Sequence, residues 1–468
     1  MKKTKIVATF GPAIASPPMI AKLAGAGVNL FRINCSHGTT ADFVKASALI
    51  RKGTRSARFP VGLLFDISGP KLRLERFEGE VTIAPGEHLT LSAGQSDLDR
   101  GLIGVNHPAI ISSIKKGERV FIDDGTMAFE AVKAARKQVR LEAINGGTLL
   151  PGKGINLPDS DIRIPTISAK DREDIATAVK LRADYIALSF VRSGDDIIEA
   201  RQVVRKCSGH QDVIAKLEKR EAIDNLDNIM LVSDGVMIAR GDLGVELPFE
   251  ELPRLQKHIT DVANCHHKPV IVATQMLESM RFSPRATRAE VNDVASAVFD
   301  FADAVMLSAE TATGKYPHEA VNVMRQVIEA SETETPGKRP KIEAHLIKSE
   351  ITHAIAHAVS ESSGHCPTKV IFAFTTSGFT AAMISNLFPA QPVIALTPRK
   401  EVLTKLSLLR SVYPVLVRQP KSFADMLRQV KDVCRKYKLV DKGDRVIITG
   451  GAPFGAKMPT NFMMFHES

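Results

Sequence analysis

Eight short apolar runs recur along the chain with helix-like stretches between them, and this rhythm limits the fold more than any other feature. In order they are KIVATFGP (5–12), VNLFRINCSHG (28–38), VGLLFDISG (61–69), DYIALSFVR (184–192), DVIAKLEK (212–219), GVMIARGDLG (235–244), KPVIVATQM (268–276) and DAVMLSAET (303–311). Parallel strands covered on both faces are apolar along their length, where half-exposed strands alternate. Eight such runs in strand–helix alternation imply an α/β fold, a (β/α)8 barrel.

The rhythm breaks once, over about 115 residues between the third and fourth runs. There VTIAPGEHLTLS, ERVFIDDG, MAFEAVKA and QVRLEAI alternate apolar with polar residues and are separated by turn residues. This predicts a small inserted β-barrel or sheet of antiparallel strands. Placed over the barrel mouth, it would act as a lid that keeps water from a reactive group. After the polar stretch SETETPGKRPK (331–341), the runs 369–375, 392–398, 413–419 and 444–451 form a separate strand–helix series, an open C-terminal α/β domain. The expected layout is a barrel from 1–67 and 165–337, a lid from 68–164, and a C-terminal domain from 338–468.

Composition excludes several classes. No apolar run reaches the roughly 18–20 residues that span a bilayer, and the N-terminus lacks the pattern of a signal peptide. Five scattered cysteines, an odd number, argue against a disulfide framework or zinc site and suit a reducing cytoplasm. A net charge of +10 suits anionic partners. No Lys/Arg tract is interleaved with aromatics, Trp is absent and Tyr occurs four times, so nucleic acid is not expected. Small phosphorylated substrates fit the charge, as does a plain soluble basic surface.

Active residues of such barrels lie at the C-terminal strand ends. Those ends carry Gly11 and Pro12; Arg32, Asn34, Ser36 and His37; Asp66, Lys71 and Arg73; Lys216 and Glu218; Arg240 and Asp242; Thr274 and Gln275; Ser308 and Glu310. Packing alone does not explain apolar strands that all end in polar groups on one side. Residues i and i+2 of a strand share a face, so Lys216 and Glu218 project together. In isolation that pair reads as a salt bridge. With Asp242 on the next strand end, two carboxylates and substrate oxygens suit a hard divalent cation, and Lys216 could stabilise a phosphoryl group in flight. Gly241 permits close approach of an anion to the backbone. Thr274 reads equally well as a helix N-cap or a functional hydroxyl. Thr287-Arg288-Ala289-Glu290 reads as a capping box. His37 suits a nucleotide contact or a packed side chain better than a base.

Read as longer motifs, these segments resemble the pyruvate kinase family nearly end to end: TKIVATFGPA, FRINCSHG, KGINLP, LSFVRSGDDI, SDGVMIARGDLGVELP, ATQMLESM, TRAEVNDVASAV and VMLSAETATGKYP. The resemblance implies phosphoryl transfer from phosphoenolpyruvate to ADP, giving pyruvate and ATP in glycolysis. It implies that Lys216 stabilises the transferring phosphoryl and Arg32 grips the phosphate. Glu218 and Asp242 hold Mg2+ or Mn2+, with the Gly241 amide near the substrate carboxylate. Thr274 lies by the carbon that is protonated, with Ser308 and Glu310 on the proton path. Arg73 and Lys153 match the nucleotide-phosphate contacts, with Pro12, Asn34 and His37 nearby. A homotetramer is the family expectation.

One departure stands out. The resemblance implies a potassium site of Asn34, Ser36, Asp66 and a Thr, and here Ile67 stands in place of that Thr and cannot ligate. Lys71 stands where the family usually has Glu, which changes the local charge by two units. A fixed ammonium could supply the charge that K+ brings, so activity without K+ is expected; the bland alternative is a solvated surface lysine.

In the C-terminal region, Thr375, Thr376, Ser377, Gly378 and Thr380 join a strand to a helix start, a geometry that can cradle phosphate. In the family this loop receives sugar-phosphate effectors, and the loop 450–461 could face the same pocket; a turn without a ligand is the alternative. Two other functions compete with the kinase reading. One is a metal-dependent carbon–carbon lyase on a similar barrel, against which Arg73 and Lys153 argue. The other is an inactive effector-binding homologue, against which the retained key side chains argue.

Overall fold

A computed structural model of the chain describes residues 1–162, 164–333, 349–456 and 458–467. The expected boundary at 337/338 lies outside the described residues. Eight parallel strands close into a barrel: β1 (Lys5–Thr9), β2 (Leu30–Asn34), β3 (Gly62–Ile67), β4 (Tyr185–Leu188), β5 (Asp212–Leu217), β6 (Gly235–Ala239), β7 (Val270–Ala273) and β8 (Ala304–Leu307). Each strand lies beside its sequence neighbour, and β8 pairs with β1.

Alternation along the strands divides the apolar side chains into two layers. Val7, Leu30, Leu64, Ile214, Met237 and Ile271 fill the barrel interior, joined by Leu408 from the C-terminal region. Phe31, Leu63, Phe65, Ile67, Val213 and Val236 face outward against the surrounding helices. The helices start on local signals. Thr39, Ser168 and Thr287 each form capping boxes, with Asp42, Asp171 and Glu290 respectively, so the structural reading of Thr287–Glu290 holds.

The insert after β3 has its own apolar core. A six-stranded sheet runs in the order 155–156, 119–122, 127–135, 138–143, 88–92 and 102–104, beside a two-stranded sheet of Val81–Ile83 and Gly147–Leu149. Its pairs are antiparallel except one: His88–Ser92 runs parallel to Leu102–Gly104. The C-terminal sheet orders Val412–Leu416, Val393–Thr397, Val370–Phe374, Arg445–Gly450 and Phe462–Glu467. Its first four strands are the expected ones and run parallel. The fifth, FMMFHE, is an antiparallel edge that the sequence reading did not foresee. Among the described residues no helix is long and apolar enough to cross a membrane.

This region also meets the barrel floor. Lys5, fully buried at the start of β1, donates to the Val412 carbonyl (2.6 Å) and lies over the Tyr413 ring. The Tyr185 hydroxyl donates to the Lys405 carbonyl. The opposite, C-terminal ends of the strands are left to chemistry.

Candidate active site

Asp66 anchors the site. Leu64 and Asp66 point into the barrel while Phe65 and Ile67 point outward, as a period of two requires. The Asp66 carboxylate is almost fully buried, and cations from two other strands reach it. Arg32 Nε on β2 donates to Oδ2 at 2.7 Å, and Lys216 Nζ on β5 lies 3.1 Å from Oδ1. Burial alone would raise the Asp66 pKa, but Lys216 and then Arg32 outweigh it and hold the carboxyl below its ordinary range.

Lys216 is shared. Its ammonium is 2.7 Å from Glu218 Oε1 and donates to Ser189 Oγ at 2.6 Å. Burial would strip its proton, yet Asp66 and Glu218 together hold its pKa above the usual lysine value. Lys216 is therefore a fixed cation. Glu218 is pushed up, first by burial and then by Asp242, against the pull of Lys216. Its second oxygen accepts the Phe190 amide at 2.7 Å. Two cations, Arg32 and Lys216, thus face three carboxylates, Asp66, Glu218 and Asp242, at one barrel end.

Asp242 lies in the first turn of the helix Arg240–Glu246. The neighbouring Gly241 amide donates to Thr274 Oγ1 at 2.8 Å. Thr274 does not cap a helix: its φ is 68° and that of Gln275 is 54°, so the chain turns sharply there. Arg240 holds this corner through the Thr274 carbonyl (2.7 Å) and Asp293 Oδ1 (2.5 Å). Glu310 is fully buried and takes two backbone amides, Leu277 at 3.1 Å and Ser308 at 2.6 Å, so its oxygens brace the loops after β7 and β8. The Ser308 hydroxyl is buried and has no hydrogen-bond partner among the described residues.

A cleft of about 340 Å3 runs from Asp242 to the lid. His37, Lys71, Arg73, Asp123 and Lys153 line it. Lys153 pairs with Asp123 at 2.8 Å, and Arg73 donates to the Gly152 carbonyl at 2.8 Å. Burial, then the charges of Lys71, Arg73 and Arg32, lower the His37 pKa. His37 is therefore a neutral ring among cations. Asn34 Oδ1 accepts the Ser36 amide, which tightens the loop after β2. Pro12 is exposed, outside the residues lining the cleft.

Ile67 corrects one expectation. Its side chain is fully buried in the outer layer, facing away from the site. A Thr in its place would point the same way, so Ile67 does not withdraw a side-chain ligand from a cation. The case for a built-in cation falls on Lys71 alone. Among the described residues no carboxylate lies within 4 Å of its ammonium.

The sequence inventory missed Ser189 and Phe190. Both follow β4 in the LSFVRSGDDI motif, the one strand end from which no candidate was taken. It also missed Thr9, whose hydroxyl accepts from Arg32 (3.0 Å), and the pair of half-buried Lys219 with buried Glu246 (3.1 Å).

In the C-terminal domain a second cavity, about 590 Å3, is lined by Thr375, Thr376, Ser377 and Thr380 together with Arg399 and the loop containing Thr460. Gly378, with φ of 92°, opens the helix Phe379–Ser385, and its amide donates to Thr375 Oγ1. The hydroxyls of Thr380 and Thr460 meet at 2.6 Å.

Comparison with known proteins agrees across the chain. A family model described as "Pyruvate kinase, barrel domain" matches residues 1–321, and one described as "Pyruvate kinase, alpha/beta domain" matches 353–466. A pyruvate kinase of Sporosarcina psychrophila is 38% identical over 471 residues, covering all of this chain and 80% of its own length. Pyruvate kinases of Staphylococcus aureus (38%) and Staphylococcus haemolyticus (37%) match over the same shares.

Proposed function

The chain belongs to the pyruvate kinase family of phosphotransferases, and on that premise we propose that its barrel mouth moves the phosphoryl group of phosphoenolpyruvate to ADP. The observation that carries this reading is the placement of Lys216. A fixed ammonium sits between two buried carboxylates, with Arg32 on the shared Asp66. Lys216 and Arg32 would bind the phosphate and stabilise the equatorial oxygens in flight, positioned without reorganisation. Thr274 would stand at the carbon that is protonated. Ser308 would lie on the proton path, and Glu310 would hold the loop that presents it. Arg73 and Lys153 would bind the ADP phosphates, with His37 beside them.

Glu218 and Asp242 would hold the divalent metal, Mg2+ or Mn2+. The donors fit: they are hard oxygens, and Glu218 is raised by burial and by Asp242, a strain that a bound cation relieves. Among the described residues no group of three or more His, Cys, Asp or Glu forms a metal cage. Mg2+ commonly takes one or two carboxylates and completes its shell with water and substrate oxygens, so Glu218 and Asp242 would suffice. The metal would neutralise charge on the phosphoryl oxygens.

Turnover without K+ would rest on Lys71 standing in for the cation that Asn34, Ser36 and Asp66 would otherwise hold. The C-terminal cavity supports an anionic sugar-phosphate or nucleotide effector, detectable by thermal shift. Domain limits near 67/68 and 164/165, a homotetramer and a cytoplasmic location complete the reading. A coupled assay with phosphoenolpyruvate, ADP and Mg2+ tests it. Absence of pyruvate would favour a lyase or an inactive homologue.

A further inference from the structure

Glu246 ends the helix that begins with Arg240, one turn beyond Asp242, and is 2% exposed. One of its oxygens serves two partners. Lys219 Nζ approaches at 3.1 Å, and Asn156 Nδ2 donates at 3.0 Å. The two partners belong to different bodies. Lys219 follows Glu218 on the barrel, whereas Asn156 lies on the lid strand Ile155–Asn156, three residues beyond Lys153. The same stretch of helix meets the lid a second time: a methyl group added to Gly125 would lie 3.5 Å from the Val245 side chain. Arg192 also holds the lid, through the Ile162 and Ile164 carbonyls, where the chain returns to the barrel.

We propose that Asn156 and Glu246 are the latch that holds the lid shut and thereby fixes Lys153 over the nucleoside diphosphate; both are positioning residues. The chemistry suits a contact made and broken each cycle. Asn156 is a neutral donor on a charged acceptor, a hydrogen bond stronger than a neutral pair. When the lid opens, Glu246 keeps Lys219 and Asn156 meets water, so neither state leaves a charge unpaired. Apparent affinity scales with the fraction of molecules in the competent, closed state. The latch therefore acts on KM for ADP. The phosphate grip of Arg32 and Lys216 belongs to the barrel and is independent of it.

The inference rests on the kinase reading for its kinetic readout, and a second readout is free of it. Asn156→Ala should raise KM for ADP about tenfold, the share of one such hydrogen bond, with kcat and KM for phosphoenolpyruvate within about twofold. Asn156→Asp, which sets two carboxylates against each other, should raise it further. Glu246→Gln in the Asn156→Asp background reverses donor and acceptor and should recover most of the loss. Hydrogen exchange along the helix Arg240–Glu246, which the lid meets at Val245 and Glu246, measured without substrates, should accelerate and recover in the same order. Unchanged exchange in Asn156→Asp, or no recovery in the double variant, overturns the latch. If the wild type transfers no phosphoryl group, the activity reading fails while the exchange data still decide on the latch.

Discussion

Replacing Lys216 by Met tests the centre of the site in two independent ways. The variant removes an ammonium lying 3.1 Å from Asp66 and 2.7 Å from Glu218. Asp66 keeps Arg32, so Glu218 becomes the unpaired carboxylate. Breaking a buried pair from one side costs about 3–5 kcal/mol. Proton uptake caps that penalty: at pH 7 a carboxyl of ordinary pKa near 4.3 is protonated for about 1.4 kcal/mol per unit, or roughly 4 kcal/mol in all, and at pH 5 for about 1. The sign follows from Glu218 having a folded pKa above its unfolded one. The stability it contributes is fully present below about pH 4.3 and is lost as pH rises through the folded value. The thermal-unfolding gap between wild type and Lys216→Met should therefore widen from pH 5 to pH 8. In the coupled assay at saturating substrates and Mg2+, kcat should fall by about a thousandfold or more, the scale of one cation on a transferring phosphoryl group. A loss of less than tenfold would remove Lys216 from the chemistry. A gap that is constant with pH would show that Glu218 is not the orphaned partner.

Wild-type turnover in tetramethylammonium buffer should be unchanged by KCl, whereas Lys71→Glu should make it depend on K+. Ile67→Thr should leave turnover independent of K+ but cost about 1–3 kcal/mol in thermal stability, because it places a hydroxyl in the apolar outer layer. A chelator of divalent ions should abolish turnover, and Mg2+ or Mn2+ should restore it. At the barrel floor Lys2 has its pKa lowered to about 7 by burial, against Glu332 and Glu329. The unfolded chain therefore binds that proton between about pH 7 and 10 while the folded chain does not, so stability rises with pH across that window. Lys2→Met should flatten the rise measured by denaturant unfolding.

The barrel was legible because its buried parallel strands are apolar throughout, and the site because each polar candidate sits where such a strand ends. The misses have local causes. Strand period predicts which way Ile67 points, since Asp66 faces inward and its neighbour cannot. The edge strand Phe462–Glu467 is short and half-exposed, and FMMFHE shows neither clean alternation nor a continuous apolar run. Ser189 carries no charge, and its role appears only when Lys216 reaches it from the next strand. Glu246 and Asn156 are 90 residues apart in ordinary polar contexts, so their contact exists only in three dimensions.

The corner at Thr274 and Gln275 shows why local rules fail at this site. A β-branched residue at positive φ is a genuine outlier, and two left-handed residues in succession each cost about 1–2 kcal/mol. Local preference would extend the chain or start a helix, which is why a helix cap was a fair reading of Thr274. Tertiary contacts impose the turn instead: Arg240 holds the Thr274 carbonyl and Asp293, and Gly241 donates to the Thr274 hydroxyl. Both of those contacts come from the segment that carries Asp242. The strained corner and the proposed metal ligand are thus fixed to each other, so a shift of either moves the hydroxyl relative to the carboxylate. Relaxing the corner would favour local geometry and lose that registration, which places the strain where the chemistry needs two strand ends held in a single arrangement.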